Sequence, residues 1–140
     1  MKIPLQMPLI NPFDESKFIQ IEDTTGSDKK ERDMTVIDGL IQSIRFESEM
    51  MQSAGKGEKV VTEKRMERWD LLKKVRELNR KKEDIGTFDS KETEHLVEYI
   101  QNNFRLDLDL MGQLVDILND KCPRAEEELK RLGSNTKKTK

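Results

Sequence analysis

Residue types that carry covalent or metal chemistry are almost missing from this sequence. Its 140 residues include one cysteine, Cys122, and one histidine, His95. A single cysteine excludes an internal disulfide framework and fits a reducing compartment such as the cytosol. A single histidine excludes a histidine-based metal cluster, and no pattern of spacing brings Cys122 together with carboxylates. We therefore expect neither a metal site nor a bound cofactor.

Long hydrophobic runs are missing as well. The apolar stretch 1–13, MKIPLQMPLINPF, is broken by three prolines, is much shorter than a membrane span, and lacks the cleavage site of a signal peptide. We therefore expect no membrane contact and a cytoplasmic location. Hydrophobic residues make up 34% of the chain and charged residues 39%, so we expect a single domain with a lean core.

A glycine-rich loop for binding phosphates fails at two defining positions. Gly55-Lys56 resembles the end of such a loop, in which glycines let backbone N–H groups approach a phosphate. The first glycine of that motif would have to stand at Met50, and a metal-binding hydroxyl residue at Gly57. We therefore interpret 52–59 as a flexible loop.

A calcium-binding loop of the EF-hand type matches only in its second half. Over residues 81–92, Glu92 fits the position of the bidentate ligand, but Lys81 and Ile85 occupy positions that need oxygen ligands. Asp89 followed by Glu92 is also typical of a capping box at the start of a helix, and we prefer this interpretation.

Catalytic pairs are not found either. Asp107 and Asp109 are two residues apart, so on a helix they point to different sides and do not converge for acid–base work. Cys122 has neither a neighbouring basic cluster nor the motif of a catalytic thiol. We therefore expect that the protein is not an enzyme.

The first part of the chain, 1–32, is expected to form an extended arm or β-hairpin followed by a polar linker. Two runs with the composition of strands, 3–10 and 17–22, flank the turn formers Asn11-Pro12-Phe13-Asp14. The linker is the polar stretch 23–32.

Residues 33–122 carry apolar side chains at spacings of three and four, which are typical of amphipathic helices. The first helix would follow Asp33 or Thr35 as its cap, and it contains Gly39, which costs about 1 kcal/mol relative to alanine and must be held by packing. The second helix would span 62–82. The four stripes consist of Val36, Ile37, Leu40, Ile41 and Ile44; Met66, Trp69, Leu72 and Val75; Leu96, Ile100 and Phe104; and Leu110, Met111, Leu114, Val115 and Leu118.

The third and fourth helices have clear limits. Asp89 with Glu92, or Ser90 alone, can cap the third helix, and the fourth must end before Pro123. We expect 123–140 to be a short helix and a disordered basic tail. Together the stripes predict a mainly α protein, a compact bundle of about four helices with an N-terminal extended arm or β-hairpin.

Charge is distributed unevenly along the helices. Residues 62–82 contain nine basic and four acidic side chains, a net charge of +5, whereas 83–120 contain ten acidic and two basic ones, a net charge of −8. The basic helix could bind nucleic acid as a transcription-linked regulator, although the acidic helices could neutralise it within the molecule. The candidate nucleic-acid-binding residues are Lys64, Arg65, Arg68, Lys73, Lys74, Arg76 and Arg80.

We prefer a protein-binding function, because the N-terminal arm is too apolar for a free tail. Such an arm can add a strand to a partner, and its deletion would then leave a folded helical protein that no longer binds. The partner would be another protein, and a homo-oligomer is compatible with the sequence. The candidate partner-binding residues are Ile3, Leu5, Met7, Leu9, Phe13 and Phe18.

Most of the chain resembles a group of small tailed-bacteriophage proteins. In that group an N-terminal arm precedes a helix, then a basic helix, then an acid-capped helix. The resemblance implies a phage-encoded non-enzyme, either an assembly chaperone or a virion accessory protein, and transfers no functional residue. The matching segments are MKI with Pro8-Leu9, TVIDGL at 35–40, EKRMERWDLLKK at 63–74, FDSKETE at 88–94 and LVDIL at 114–118.

Overall fold

The computed structural model describes residues 1–23, 30–46 and 58–138. Within these ranges short strands precede a mostly helical chain, which confirms the prediction of a mainly α protein with N-terminal strands. The strands are β1 (Lys2–Pro4), β2 (Ile10–Asn11), β3 (Asp14–Phe18), β4 (Gln20–Asp23), β5 (Lys30–Asp33) and β6 (Ile85–Thr87). The helices are α1 (Val36–Arg45), α2 (Glu58–Arg80), α3 (Ser90–Gln101), α4 (Leu108–Leu118) and α5 (Pro123–Lys138).

The predicted turn at Pro12-Phe13 is confirmed, but the predicted hairpin is only partly correct. β2 and β3 pair antiparallel across this turn, with Ile10 opposite Phe18. β1 instead pairs with the distant strand β6, which places Ile3 opposite Gly86. The first predicted run is therefore divided between two sheets, since its prolines interrupt a continuous ladder.

The polar linker predicted at 23–32 contains strand structure. β4 and β5 pair antiparallel from Gln20 opposite Asp33 to Asp23 opposite Lys30. Residues 24–29 of the predicted linker lie outside the described residues. The pairing depends on backbone hydrogen bonds, which the polarity of the side chains does not reveal.

The N-terminal arm is part of the fold and is not separable from it. The carbonyl oxygen of Met7 accepts a hydrogen bond from the N–H of Val36 at 3.0 Å, and that of Leu5 accepts from Ile37 at 2.9 Å. The first N–H groups of a helix have no partner within it, so the arm satisfies two donors of α1. The expectation that residues 1–22 can be deleted from a folded helical protein is thereby corrected.

A side-chain cap completes the N-terminus of α1. Asp38 accepts hydrogen bonds from the N–H of Thr35 at 2.9 Å and from both terminal nitrogens of Arg32 at 2.8 Å. This confirms Thr35, one of the two predicted residues, as the N-cap. Burial alone would raise the pKa of the Asp38 carboxyl, but the hydrogen bonds from Arg32 and Thr35 outweigh it and hold the pKa below its ordinary value.

We expect Asp38→Asn to lower the free energy of unfolding by about 1–2 kcal/mol at neutral pH, because it removes a charged cap. A carboxyl whose pKa is lowered by folding stabilises the protein above its unfolded pKa of about 3.9, and this contribution disappears as the pH falls through the folded pKa. Urea unfolding at neutral pH and near pH 3 should therefore show the wild type and the variant converging in acid. Asp116→Asn, at an exposed position, is the control, and a pH-independent difference at Asp38 would contradict the prediction.

The limits of the later elements agree partly with the prediction. The capping box is confirmed, since Asp89 accepts from the N–H of Glu92 at 2.7 Å and Glu92 accepts from that of Asp89 at 3.0 Å. The predicted break before Pro123 is also confirmed, and α5 begins there. α5 extends to Lys138, so the predicted short helix is longer than expected. The loop predicted around Gly55-Lys56 lies outside the described residues.

Two helical glycines differ in what surrounds them. A Cβ atom at Gly39 in α1 would lie 2.7 Å from Cδ1 of Leu114 in α4, whereas one at Gly112 in α4 would meet nothing within 4 Å. Leu114 is completely buried. Gly39 therefore allows α1 and α4 to approach closely, which explains how packing offsets its cost in a helix.

Gly112→Ala should raise the free energy of unfolding by about 0.5–1 kcal/mol, because alanine favours the helix and meets no neighbour. Gly39→Ala should lower it by up to about 2 kcal/mol, because the buried Leu114 would have to shift in a filled core. Chemical denaturation of the two variants measures both effects. An equal increase in the free energy of unfolding for Gly39→Ala and Gly112→Ala would contradict the close approach of α1 and α4.

Candidate interaction surface

The six predicted partner-binding residues do not share one surface. Phe13 and Phe18 are exposed on the β2–β3 hairpin, and the Phe13 side chain at the turn is 94% exposed. The other four are corrected to core residues, because alternate side chains of the arm point into the fold under α1. These buried residues are Ile3, Leu5, Met7 and Leu9.

Arg68, a predicted nucleic-acid contact, is buried between α1 and α3. Its guanidinium donates hydrogen bonds to the carbonyl oxygens of Ser43, Ile44 and Phe46, at the C-terminus of α1. The same group lies 4.1 Å from the centroid of the Tyr99 ring on α3. The last carbonyl groups of a helix lack intrahelical partners, so Arg68 caps α1, and its assignment to nucleic-acid binding is corrected.

The apolar stripe predicted for α2 is displaced around the helix. Met66 and Trp69 were expected in the core, but they are 52% and 44% exposed. Within 63–80, the part of this helix whose side chains are described, the buried residues are Arg68, Leu71, Leu72 and Val75. A search for apolar periodicity does not detect a buried stripe that contains an arginine. Position 68 nevertheless has the helical spacing that places it on the same face as positions 71, 72 and 75.

Arg68→Met should lower the free energy of unfolding by about 2–4 kcal/mol, because carbonyl groups around a buried site lose their donor. Arg76→Met, on the exposed side of α2, is the matched control and should change stability by about 0.5 kcal/mol or less. Thermal and urea unfolding measure the difference. Equal stability of the two variants would contradict the capping role of Arg68.

Two other predicted nucleic-acid contacts are paired within the molecule. Lys74 donates to both carboxylate oxygens of Glu92 on α3 at 2.8 and 3.0 Å, and its Nζ lies 4.7 Å from the centroid of the Phe88 ring. Arg80 bonds to Glu77 on the same helix. The acidic helix α3 thus neutralises part of the basic helix, as one of the two alternatives anticipated.

Basic residues and the tryptophan of α2 also form a segregated face, in which Lys73 pairs with Asp70 and Arg80 with Glu77. With about 100° of rotation per residue, positions 65, 69, 73, 76 and 80 of α2 lie within an arc of about 80°. The acidic side chains lie on the adjoining arc, at Glu63, Glu67, Asp70 and Glu77. Lys64 is exposed on a different side of the helix. Nζ of Lys73 lies 5.9 Å from the Trp69 ring centroid, and the guanidinium of Arg76 lies at 6.0 Å. We call this set the basic-aromatic stripe: Arg65, Trp69, Lys73, Arg76 and Arg80.

One end of this stripe borders a cavity of about 470 Å³ between α1 and α2. Arg68 lies in its wall and ties the two helices together. Among the described residues that line the cavity, every charged one is an arginine. We call it the α1–α2 groove, lined also by Ile44, Arg45, Arg65, Met66, Trp69 and Leu72.

A second exposed apolar patch lies next to the groove at the end of α1. The rings of Phe46 and Phe104 meet edge to face with centroids 6.5 Å apart, and the guanidinium of Arg105 lies 5.4 Å from the Phe46 centroid. Phe104 is 69% and Leu108 is 77% exposed. The assignment of Phe104 to the core stripe of the third helix is corrected. α3 ends at Gln101, so Phe104 no longer follows the helical spacing that would place it on the buried face of α3.

Tyr99 adds an ionisable group beneath Arg68. Burial raises the pKa of its hydroxyl, and the nearby Arg68 opposes this only in part. Within residues 1–23, 30–46 and 58–138, no three His, Cys, Asp or Glu side chains come together in a way that could hold a metal ion. The helices of these ranges include none with both the length and the apolar character needed to cross a bilayer.

Comparisons with protein-family models, with curated proteins and with solved structures find no significant match to this chain. Its function is therefore inferred from the chemistry of its own surface.

Proposed function

We propose that the protein is a non-catalytic interaction module that binds another protein through the α1–α2 groove. The observation that carries the proposal is the half-exposed pair Met66 and Trp69 over a cavity walled by two helices. Tryptophan, methionine and arginine are enriched at protein interfaces, where a few such side chains supply most of the binding energy. An exposed patch of this kind with a charged rim is typical of a protein-binding surface.

Rigidity of the groove supports the proposal. Arg68 bonds from α2 to the last carbonyl groups of α1, and so holds one wall of the groove against the other. A surface that is already ordered loses less conformational entropy when it binds a partner. We propose that the helices act together as one bundle-like scaffold that presents this groove.

The biological role we propose is assembly of a larger particle, as a phage-encoded assembly chaperone or virion accessory protein. The resemblance of segments such as 63–74 to small tailed-phage proteins supports this role, and a chaperone or accessory protein would need a binding surface like the groove. The protein would then act in the host cytoplasm or within the virion, and its partner would be a viral or host protein.

A random peptide library displayed on a carrier tests the groove directly. We expect peptides that bind the wild type and fail to bind a Met66→Ser/Trp69→Ser variant, because the variant loses both apolar anchors while its buried core is unchanged. Circular dichroism checks that the variant is folded. The matched control is Phe13→Ser, which also removes an exposed aromatic side chain and should leave binding intact.

Two results would overturn the groove as the binding surface. One is a library from which no peptide is enriched. The other is binding that survives Met66→Ser/Trp69→Ser but is lost in Phe13→Ser, which would move the interface to the β2–β3 hairpin.

Nucleic-acid binding remains the second candidate, and the segregation of the basic-aromatic stripe favours it. Trp69 could stack on a base while Lys73 and Arg76 contact phosphates. Fluorescence anisotropy with labelled single-stranded and duplex DNA and RNA, at about 50 and 200 mM salt, tests this function, since phosphate contacts weaken steeply with salt. Tight binding that weakens in this way and is lost in Lys73→Gln/Arg76→Gln would favour the second candidate over the first.

A further inference from the structure

We infer that the partner segment bound by the α1–α2 groove is an acidic amphipathic helix of another protein. The inference rests on the proposed protein-binding function, and it adds the chemical class and the conformation of the ligand. Its basis is the coincidence of an apolar groove with a rim of one sign of charge.

The apolar part of the groove sets the first requirement. Ile44 and Leu72 lie in its walls, and the exposed parts of Met66 and Trp69 lie at its mouth. A ligand gains binding energy here only by burying apolar side chains of its own, at about 25 cal/mol per Å² of apolar surface removed from water. A nucleic-acid base could stack on Trp69, but Ile44, Met66 and Leu72 are aliphatic and offer it no ring to stack on, so a peptide with apolar side chains fits the groove better than a nucleic-acid strand does.

The charge around the groove sets the second requirement. Arg45 lies on the α1 side, and Lys73 and Arg76 lie beside the Trp69 ring on the α2 side. From the adjoining acidic arc, Asp70 forms an exposed ion pair with Lys73, in which Oδ1 lies 3.3 Å from Nζ. Such a pair is weak, and every charged residue described in the lining of the groove is an arginine, so the rim keeps an excess of positive charge. Charges at the edge of an interface mainly set orientation and association rate, and they favour a ligand that carries aspartate or glutamate beside its apolar anchors.

The conformation of the ligand follows from the backbone of the groove. Both of its walls are helices, whose central N–H and C=O groups are already bonded internally, so an extended peptide finds no strand edge to pair with. A helical ligand satisfies its own backbone and presents apolar side chains at spacings of three and four. The basic-aromatic stripe is about 22 Å long from position 65 to position 80, which matches about four turns of such a helix.

Three synthetic peptides of about 18 residues, long enough to form a helix, distinguish this ligand from others. All have leucine and phenylalanine at positions i, i+3, i+4 and i+7, and they differ only in carrying glutamate, glutamine or lysine at the flanking positions. Fluorescence anisotropy should show the glutamate peptide binding about tenfold more tightly than the glutamine peptide, which corresponds to two or three rim contacts of about 0.5 kcal/mol each. The lysine peptide should bind more weakly than either.

A charge-reversed protein provides the matched control. Lys73→Glu/Arg76→Glu changes two exposed side chains outside the core, so the fold should persist, and the preference should shift from the glutamate peptide to the lysine peptide. Circular dichroism of the variant and of each bound peptide reports on folding and on helix formation by the ligand.

The outcomes separate the inference from the function on which it rests. Equal binding of the glutamate and glutamine peptides, lost in Met66→Ser/Trp69→Ser, would overturn the acidic ligand while supporting the groove. Binding without a gain in helicity would overturn the helical conformation. Failure of all three peptides would overturn the inference, and only the additional failure of the displayed library would overturn the groove as a binding surface. Displacement of the glutamate peptide by single-stranded DNA with a lower dissociation constant would assign the rim to nucleic acid.

Discussion

The guanidinium of Arg68 joins three helices of this molecule. It projects from α2, donates hydrogen bonds to the carbonyl groups that end α1, and lies against the Tyr99 ring of α3. A buried arginine would be costly without partners, and here its donors meet carbonyl groups that would otherwise be unsatisfied. One side chain therefore joins α1 to α2 beside the groove that lies between them.

α1 makes such distant contacts at both of its ends. An isolated helix of ten residues is only marginally stable in water. Both ends of this ten-residue helix are hydrogen-bonded to other parts of the chain. Carbonyl groups of Leu5 and Met7 accept from its first turn, and Arg68 donates to its last. The N-terminal arm and α2 thus cooperate to order a helix that forms one wall of the proposed binding surface. The proposed function and the burial of the arm are linked through this helix.

Local chemistry made much of the helical framework predictable. The cap at Asp89 and Glu92, the cap at Thr35 and the break before Pro123 depend on neighbouring residues, so they could be identified from the sequence. The burial of the arm could not, because an apolar segment looks the same whether it covers its own core or a partner's. The stripe of α2 was misplaced for a related reason: periodicity counts apolar residues, and it passes over an arginine whose carbonyl partners lie 22 to 25 residues away in sequence.

A run of basic residues in a sequence therefore does not by itself indicate a nucleic-acid-binding surface. The burial and the partners of each side chain in the structure distinguish their roles. On α2, neighbouring cations perform different tasks: Arg68 caps a helix, and Lys74 pairs with Glu92 on α3. Lys73 and Arg76 lie at the surface beside Trp69, where Lys73 also forms an exposed ion pair with Asp70. Counting all of them as phosphate contacts overestimates the counterions that a nucleic acid could release. What remains is a short positive rim around an apolar groove. That combination supports a ligand with both apolar anchors and acidic groups better than one with phosphate charge alone.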